Sequence, residues 1–230
     1  MKAMILAAGR GERMRPLTDT TPKPLLQVGG RPLIVWTIEA LVKAGFREIV
    51  INVSHLGDQI ESALGSGEGW NAAIRYSREA EPLETAGGIA TALQLLGAAP
   101  FIVVNADIYA DFDFTRLRTA LPHCGETLAH LVLVDNPEHH PAGDFVLNGA
   151  RISSAGSPRY TFSGIGAYRP ALFDGIAPHT KAQLAALLRP QIDGGRVTGE
   201  HYAGRWSDVG TPERLAAIDC SLRETITPDR

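Results

Sequence analysis

The 230-residue chain predicts an α/β fold: one domain on a mixed central sheet, mostly parallel in its N-terminal half and flanked by helices. Three observations predict it. Strand-like and helix-like patterns alternate from residue 3 to residue 105. The strand-like segments are short, nearly continuous apolar runs, the pattern of strands covered on both faces. No linker-like stretch divides the chain, so residues 1–230 are expected to form a single unit.

The elements follow in order. Residues 3–8 (AMILAA) form a first apolar strand that breaks into Gly9-Arg10-Gly11-Glu12-Arg13-Met14-Arg15-Pro16. Pro32 suits the start of a helix in which Leu33, Ile34, Trp36, Ile38, Leu41 and Val42 recur at helical spacing until Gly45 stops it. Residues 48–53 read as a buried strand, 56–64 as a short helix ending at Gly65, and 73–77 as a strand. A helix over 85–96 and an apolar strand over 101–105 follow. Past Asp107 the pattern loosens. Residues 128–134 form a strong strand, 135–143 a His- and Pro-bearing loop, and 145–153 alternate as a hairpin does. Strand 160–168, helix 181–188, strand-like 196–203 and helix 212–222 complete the chain, with disorder expected only after Leu222. The second half is expected to extend the same sheet in a mixed, partly antiparallel way. A Rossmann-like sheet of this kind binds ligands beyond the carboxyl ends of its strands.

With 44% hydrophobic and 20% charged residues, the composition is that of an ordinary globular protein. A net charge of −3 opposes nucleic-acid binding, which needs a broad basic surface. No stretch reaches the ~20 apolar residues of a membrane span, and residues 1–8 run into a charged motif instead of a cleavage site. Cys124 and Cys220 lack metal-like spacing and read as two free thiols in a reducing cytoplasm.

The loop after the first strand suits a polyphosphate. Gly9 and Gly11 let backbone N–H groups approach oxygen atoms, and Arg10, Arg13, Arg15 and Lys23 supply positive charge. The P-loop spacing GxxxxGK[ST] is absent, and so is the third glycine of the dinucleotide fingerprint, which sets ATPase and dehydrogenase readings aside. Taken alone, Gly-x-Gly is more often a plain strand-to-loop turn. Asp107 lies just past an apolar strand, facing the same crevice, as a Mg²⁺ ligand or as a turn former. In Arg205-Trp206-Ser207-Asp208-Val209-Gly210-Thr211-Pro212-Glu213, helix capping accounts for Thr-Pro-Glu and leaves Trp-x-Asp-Val-Gly unexplained.

The whole string LAAGRGERMRPLT, followed by TPKPL, resembles the signature of the sugar-1-phosphate nucleotidyltransferases (pyrophosphorylases), and the likeness extends along nearly the whole chain. The resemblance implies a Mg²⁺-dependent transfer from a nucleoside triphosphate to a sugar 1-phosphate, with a nucleotide-binding half (1–110) and a sugar-binding half (111–225). It implies catalytic roles for Arg13, Lys23 and Asp107, with Arg13 at the β- and γ-phosphates and Lys23 between the two substrates' phosphates. It places Leu6, Ala7, Ala8, Gly9, Arg10 and Gly11 around the nucleotide, and Asp107 and Asp208 at the metal.

The segment 79–88 resembles the family's base-reading stretch, P-L-G-T-A/G-G, and assigns Glu79, Pro82, Glu84 and Thr85 to the nucleotide. A carboxylate at Glu79 accepts from uracil N3–H and equally from guanine N1–H and N2–H, so the base stays open between U and G. Glu84 stands where glycine is usual, Ala106 where glycine usually precedes the metal aspartate, and the E-K-P triplet of many hexose enzymes is missing.

The L-E-T run and Leu133 to Phe145 resemble the N-acetylmuramate-1-phosphate uridylyltransferases. That group implies UTP and N-acetylmuramic acid 1-phosphate as substrates, in peptidoglycan recycling in the cytoplasm. Asn105, Gly143, Asp144, Ser163 and Gly164 are then expected at the sugar. Adjacent His139 and His140 point in different directions and do not read as a zinc pair. No hexapeptide-repeat β-helix follows, so a monomer or small homo-oligomer is expected. Guanylyl transfer to mannose or heptose 1-phosphate, related thymidylyl and cytidylyl transfers, and a catalytically silent nucleotide-sugar sensor are the alternatives.

Overall fold

The structure, a computed structural model, describes residues 1–121 and 125–226. In chain order its elements are β1 (Ala3–Leu6), β2 (Gln27–Val28), β3 (Arg31–Pro32), α1 (Leu33–Lys43), β4 (Glu48–Val53), α2 (Gly57–Leu64), β5 (Ala73–Arg78), α3 (Glu84–Leu96) and β6 (Phe101–Asn105). There follow β7 (Ile108–Ala110), β8 (Ala129–Val134), β9 (Phe145–Asn148), β10 (Arg151–Ser153), β11 (Arg159–Tyr168), α4 (Leu184–Asp193), β12 (Val197–His201), β13 (Trp206–Asp208) and α5 (Pro212–Ile226).

Among the described residues, nine strands form one sheet in the order β5-β4-β1-β6-β11-β8-β12-β10-β9. Strands β5, β4, β1 and β6 are parallel, and β11 enters antiparallel to both β6 and β8. The second half therefore extends the sheet of the first, as its alternating segments suggest. The chain builds β1, β4 and β5 outward in one direction and then returns to lay β6 on the other side of β1. That reversal opens a crevice at the carboxyl ends of β1 and β6.

Both sheet faces are apolar because successive side chains of a strand point to opposite sides. Ile5, Ile51 and Val104 face α1 and α2 through Ile34, Ile38, Leu41 and Ile60, whereas Met4, Val50 and Val103 face α3 and α4 through Ile89, Leu96, Leu188 and Ile192. A third cluster packs α5, through Ile218 and Leu222, on Met14, Val28, Leu33 and Tyr109.

Several boundaries differ from expectation. Ala7 and Ala8 leave the first strand because the Ala7 N–H donates to Asn52 Oδ1 (2.8 Å). Helix α4 starts at Leu184 instead of 181 because the preceding segment caps α3: Ala86 and Gly87 N–H both donate to the Ala182 carbonyl (2.9 and 3.2 Å), and Ala182 N–H donates to that of Leu83 (3.1 Å). The helix then continues through Pro190 to Asp193. Helix α5 runs past Leu222 to Ile226, so the residues just after Leu222 are helical. Cys220 is an exposed free thiol, and Cys124 lies outside the described residues. No helix among them is long and apolar enough to cross a membrane.

Candidate active site

The loop after β1 opens a cleft of about 690 Å³ at the carboxyl edge of the sheet. Leu6, Ala7, Ala8, Gly9, Arg10, Gly11, Arg13 and Lys23 line it, together with Glu79, Pro82, Glu84, Thr85, Asn105 and Asp107. All the residues expected at the nucleotide thus share one cavity with Asn105 and the three expected catalytic residues.

Local chemistry shapes this wall. Gly11 has φ +65°, and a Cβ there would meet Thr18 Cγ2 at 2.9 Å. Its carbonyl accepts from Thr18 Oγ1 (2.9 Å) and Met14 N–H (2.8 Å), which closes the loop into a turn. A Cβ on exposed Gly9 would meet no protein atom within 4 Å, so the room beside it faces the cleft. Arg10 and Arg13 are exposed, whereas Arg15 pairs with Asp19 (3.2 Å). Pro22 and Pro24 restrict the backbone around Lys23, whose nearly buried Nζ lies 2.6 Å from Asp107 Oδ2.

Beside the base-side loop, Asn52 and Glu79 make a chain that sequence reading missed. Asn52 Oδ1 accepts from Ala7 N–H, and Asn52 Nδ2 donates to Glu79 Oε1 (2.7 Å). Glu79 Oε2 accepts from Leu83 N–H (3.0 Å). Expected at the base, Glu79 is only 5% exposed, and each oxygen already accepts a bond from the fold. Its burial pushes the carboxyl above the usual glutamate range, against the opposing pull of the Asn52 and Leu83 bonds. Glu84 has φ +63°, the left-handed backbone that glycine adopts freely. The methyl of Ala106 is buried in the apolar core at the cleft wall.

The two aspartates come together through a small sheet with no clear sequence pattern. Strands β7 and β13 pair antiparallel, setting Asp208 opposite Ile108, and Val209 N–H donates to the Asp107 carbonyl (2.7 Å). Trp206 Nε1 donates to the Ser163 carbonyl (2.9 Å), anchoring β13 on β11. Asp208 does not line the cleft, although Gly210 does. Both Asp208 oxygens accept from Arg214 Nη1 (2.8 and 2.6 Å), and Oδ1 lies 3.1 Å from His139 Nε2.

The expected sugar residues divide. Asn105 faces the cleft, and Gly164 packs against the Asn105 side chain, where a Cβ would lie 2.7 Å from Nδ2, without lining the cleft itself. Ser163 is a correction. It is 0% exposed, and its Oγ donates to the Val132 carbonyl (2.7 Å), so it supports the sheet and offers no surface to a sugar. Asp144 Oδ2 accepts from Phe162 N–H (2.8 Å) and Oδ1 lies 3.1 Å from His140 Nε2, so with Gly143 it shapes the loop on β11 outside the cleft lining. His139 and His140 face different partners, Asp208 and Asp144.

Two hard carboxylates on neighbouring segments, beside a cleft rimmed by cations, fit Mg²⁺ that also coordinates phosphate oxygens and water. Among the described residues no three His, Cys, Asp or Glu side chains cluster as a metal set, so substrate and solvent would complete that shell.

Residues 2–225 match the family Nucleotidyl transferase. The chain is 56% identical over 220 residues to the N-acetylmuramate alpha-1-phosphate uridylyltransferase of Neisseria meningitidis serogroup B, covering 94% of this chain and 95% of the relative. It is 30% identical over 236 residues to mannose-1-phosphate guanyltransferase beta-B of Xenopus laevis, covering 98% of this chain and 66% of the relative. A solved chain from Bacillus anthracis, bearing the name of a glucose-1-phosphate thymidylyltransferase, shares the fold with a TM-score of 0.84. At 23% identity it covers 97% of this chain and 96% of its own.

Proposed function

Because the chain belongs to the Nucleotidyl transferase family, we propose that it joins UTP to N-acetylmuramic acid 1-phosphate, giving UDP-N-acetylmuramic acid and pyrophosphate. The 56% identity to the Neisseria uridylyltransferase, over nearly the full length of both chains, carries the substrate pair. The guanylyltransferase alternative rests on lower identity and on a relative of which the chain spans about two thirds. A silent sensor would have no need of two neighbouring carboxylates beside a cationic loop.

The chemistry is one displacement. A phosphate oxygen of the sugar 1-phosphate attacks the α-phosphorus, the new P–O bond forms, the bond to the β-phosphate oxygen breaks, and pyrophosphate leaves with its electron pair. A phosphate monoester is already largely ionised at neutral pH, so no protein nucleophile is needed and the residues act by positioning and charge. The Gly9–Gly11 loop holds the triphosphate at the end of β1. Arg13 neutralises its β- and γ-phosphates. Lys23, held beside Asp107, bridges the phosphates of the two substrates. Leu83, Glu84 and Thr85 offer backbone to the base, steadied by the Asn52–Glu79 chain. Asp107 and Asp208 would hold Mg²⁺, which when bound supplies charge neutralisation at the α-phosphate and leaving group.

On this reading the enzyme acts in the cytoplasm, in recycling of a cell-wall sugar. Pyrophosphate release with Mg²⁺, over UTP, GTP, dTTP and CTP against muramic, glucosamine, glucose, mannose and heptose 1-phosphates and phosphocholine, tests this. Turnover confined to UTP with N-acetylmuramic acid 1-phosphate is the expected result. Another productive pair refutes the substrate assignment, and silence throughout refutes the enzyme.

A further inference from the structure

Arg214 has no role in the reaction as described, yet it makes the tightest contact with Asp208. It lies in the first turn of α5, and its Nη1 reaches both Asp208 oxygens, at 2.6 and 2.8 Å. The route crosses Gly210, where a Cβ would come within 2.0 Å of Arg214 Nη2, so a side chain at position 210 would obstruct the guanidinium. The pair is partly screened from water, with the Arg214 and Asp208 side chains 21% and 23% exposed. His139 Nε2, 2.5 Å from Arg214 Nη1, accepts from the same nitrogen. Asp107 has a matching partner in Lys23. Two neighbouring carboxylates thus carry two cations of the chain's own, which removes the repulsion that side-by-side acids would otherwise suffer.

We propose that Arg214 competes with the divalent cation for Asp208, and so is a positioning residue that sets how tightly the second metal carboxylate is available. This rests on the reading of Asp107 and Asp208 as metal ligands. A cation that takes an Asp208 oxygen must loosen a guanidinium engaged with both.

The test is Mn²⁺ binding to the full chain without nucleotide, followed through the electron paramagnetic resonance of free Mn²⁺. Arg214→Gln is expected to bind Mn²⁺ roughly tenfold more tightly than the unsubstituted protein, equivalent to about 1.4 kcal/mol. Adding Asp208→Asn should cancel the gain. Arg214→Lys, which keeps a cation but on a more strongly hydrated and flexible ammonium, should fall between. A merely structural Arg214 would lower the melting temperature without tightening Mn²⁺. Should Arg214→Gln melt early, Arg214→Lys carries the comparison. Unchanged or weaker Mn²⁺ binding in the folded Arg214 variant overturns the competition. If Asp208→Asn alone weakens Mn²⁺ binding while the Arg214 variant gains nothing, the competition fails and the metal assignment stands; if Asp208→Asn alone changes nothing, both fall.

Discussion

Glu84 holds a backbone conformation, φ +63°, in which a side chain crowds the neighbouring carbonyl. A glycine at this position would serve the backbone as much as closeness to the base. Glu84→Gly should relieve the strain, and after the entropy glycine loses on folding the net gain is expected to be up to about 1 kcal/mol in urea denaturation, with activity retained. An unstable variant would refute the strain. Glu79 meets two donors, Asn52 Nδ2 and Leu83 N–H, and only a carboxylate accepts from both, because Asn52 cannot flip while its Oδ1 accepts from Ala7 N–H. Glu79→Gln turns an N–H₂ toward one donor, so KM for UTP should rise on the order of five- to a hundredfold, as in loss of one buried bond worth about 1–3 kcal/mol. Protonation has the same effect on the ionised acceptor. Since burial raises the carboxyl pKa, UTP affinity should fall on acidification before pH reaches the ordinary glutamate value of about 4.3. Stability moves oppositely: a folded pKa above the unfolded one favours the protonated fold, so this group's contribution is lost as pH rises through the folded pKa. A UTP titration at several pH values, beside Glu79→Gln, checks the binding effect; a flat profile would count against it.

Among the elements, α5 ties the C-terminal segment back to the start of the chain. Its Asp219 Oδ1 accepts from Gly29 N–H (2.7 Å) in the turn between β2 and β3, and Oδ2 accepts from Arg223 (2.8 Å). Arg223, and then the Gly29 N–H, hold the Asp219 carboxyl below the usual range against the cost of desolvation. A lowered folded pKa contributes stability that is present above the unfolded pKa and lost as pH falls through the folded one. Asp219→Ala should therefore melt below the unsubstituted protein at neutral pH, and the difference should close below the ordinary aspartate value of about 3.9. A pH-independent difference would assign the effect to the helix alone. Strands β1, β4 and β6 and helices α1 and α3 were legible because apolar runs and 3.6-residue periodicity report burial directly. Strands β7 and β13, three residues each, carry no such periodicity. Helix α4 starts later than its pattern predicts because residues 180–182 carry no local signal for capping another helix.

For the whole molecule, the crevice forms where the sheet order reverses, between the β1 loop and the residues after β6. Asp107 stands at that edge, and its carboxylate belongs to the cleft more than to the core. Asp107→Asn should keep its melting temperature within a few degrees while turnover drops on the order of a hundredfold or more. Near-normal turnover would sink the metal role. The fold class and the glycine loop are legible along the chain because apolar periodicity and a contiguous motif report them directly, and the family resemblance adds the residues found together in one cleft. That Glu79 accepts from Asn52 and Leu83, that Ser163 faces inward and that Arg214 holds Asp208 emerge from folding alone. Hydrogen bonds and ion pairs depend on which side chains packing brings within about 3 Å, and residue spacing along the chain does not carry that information.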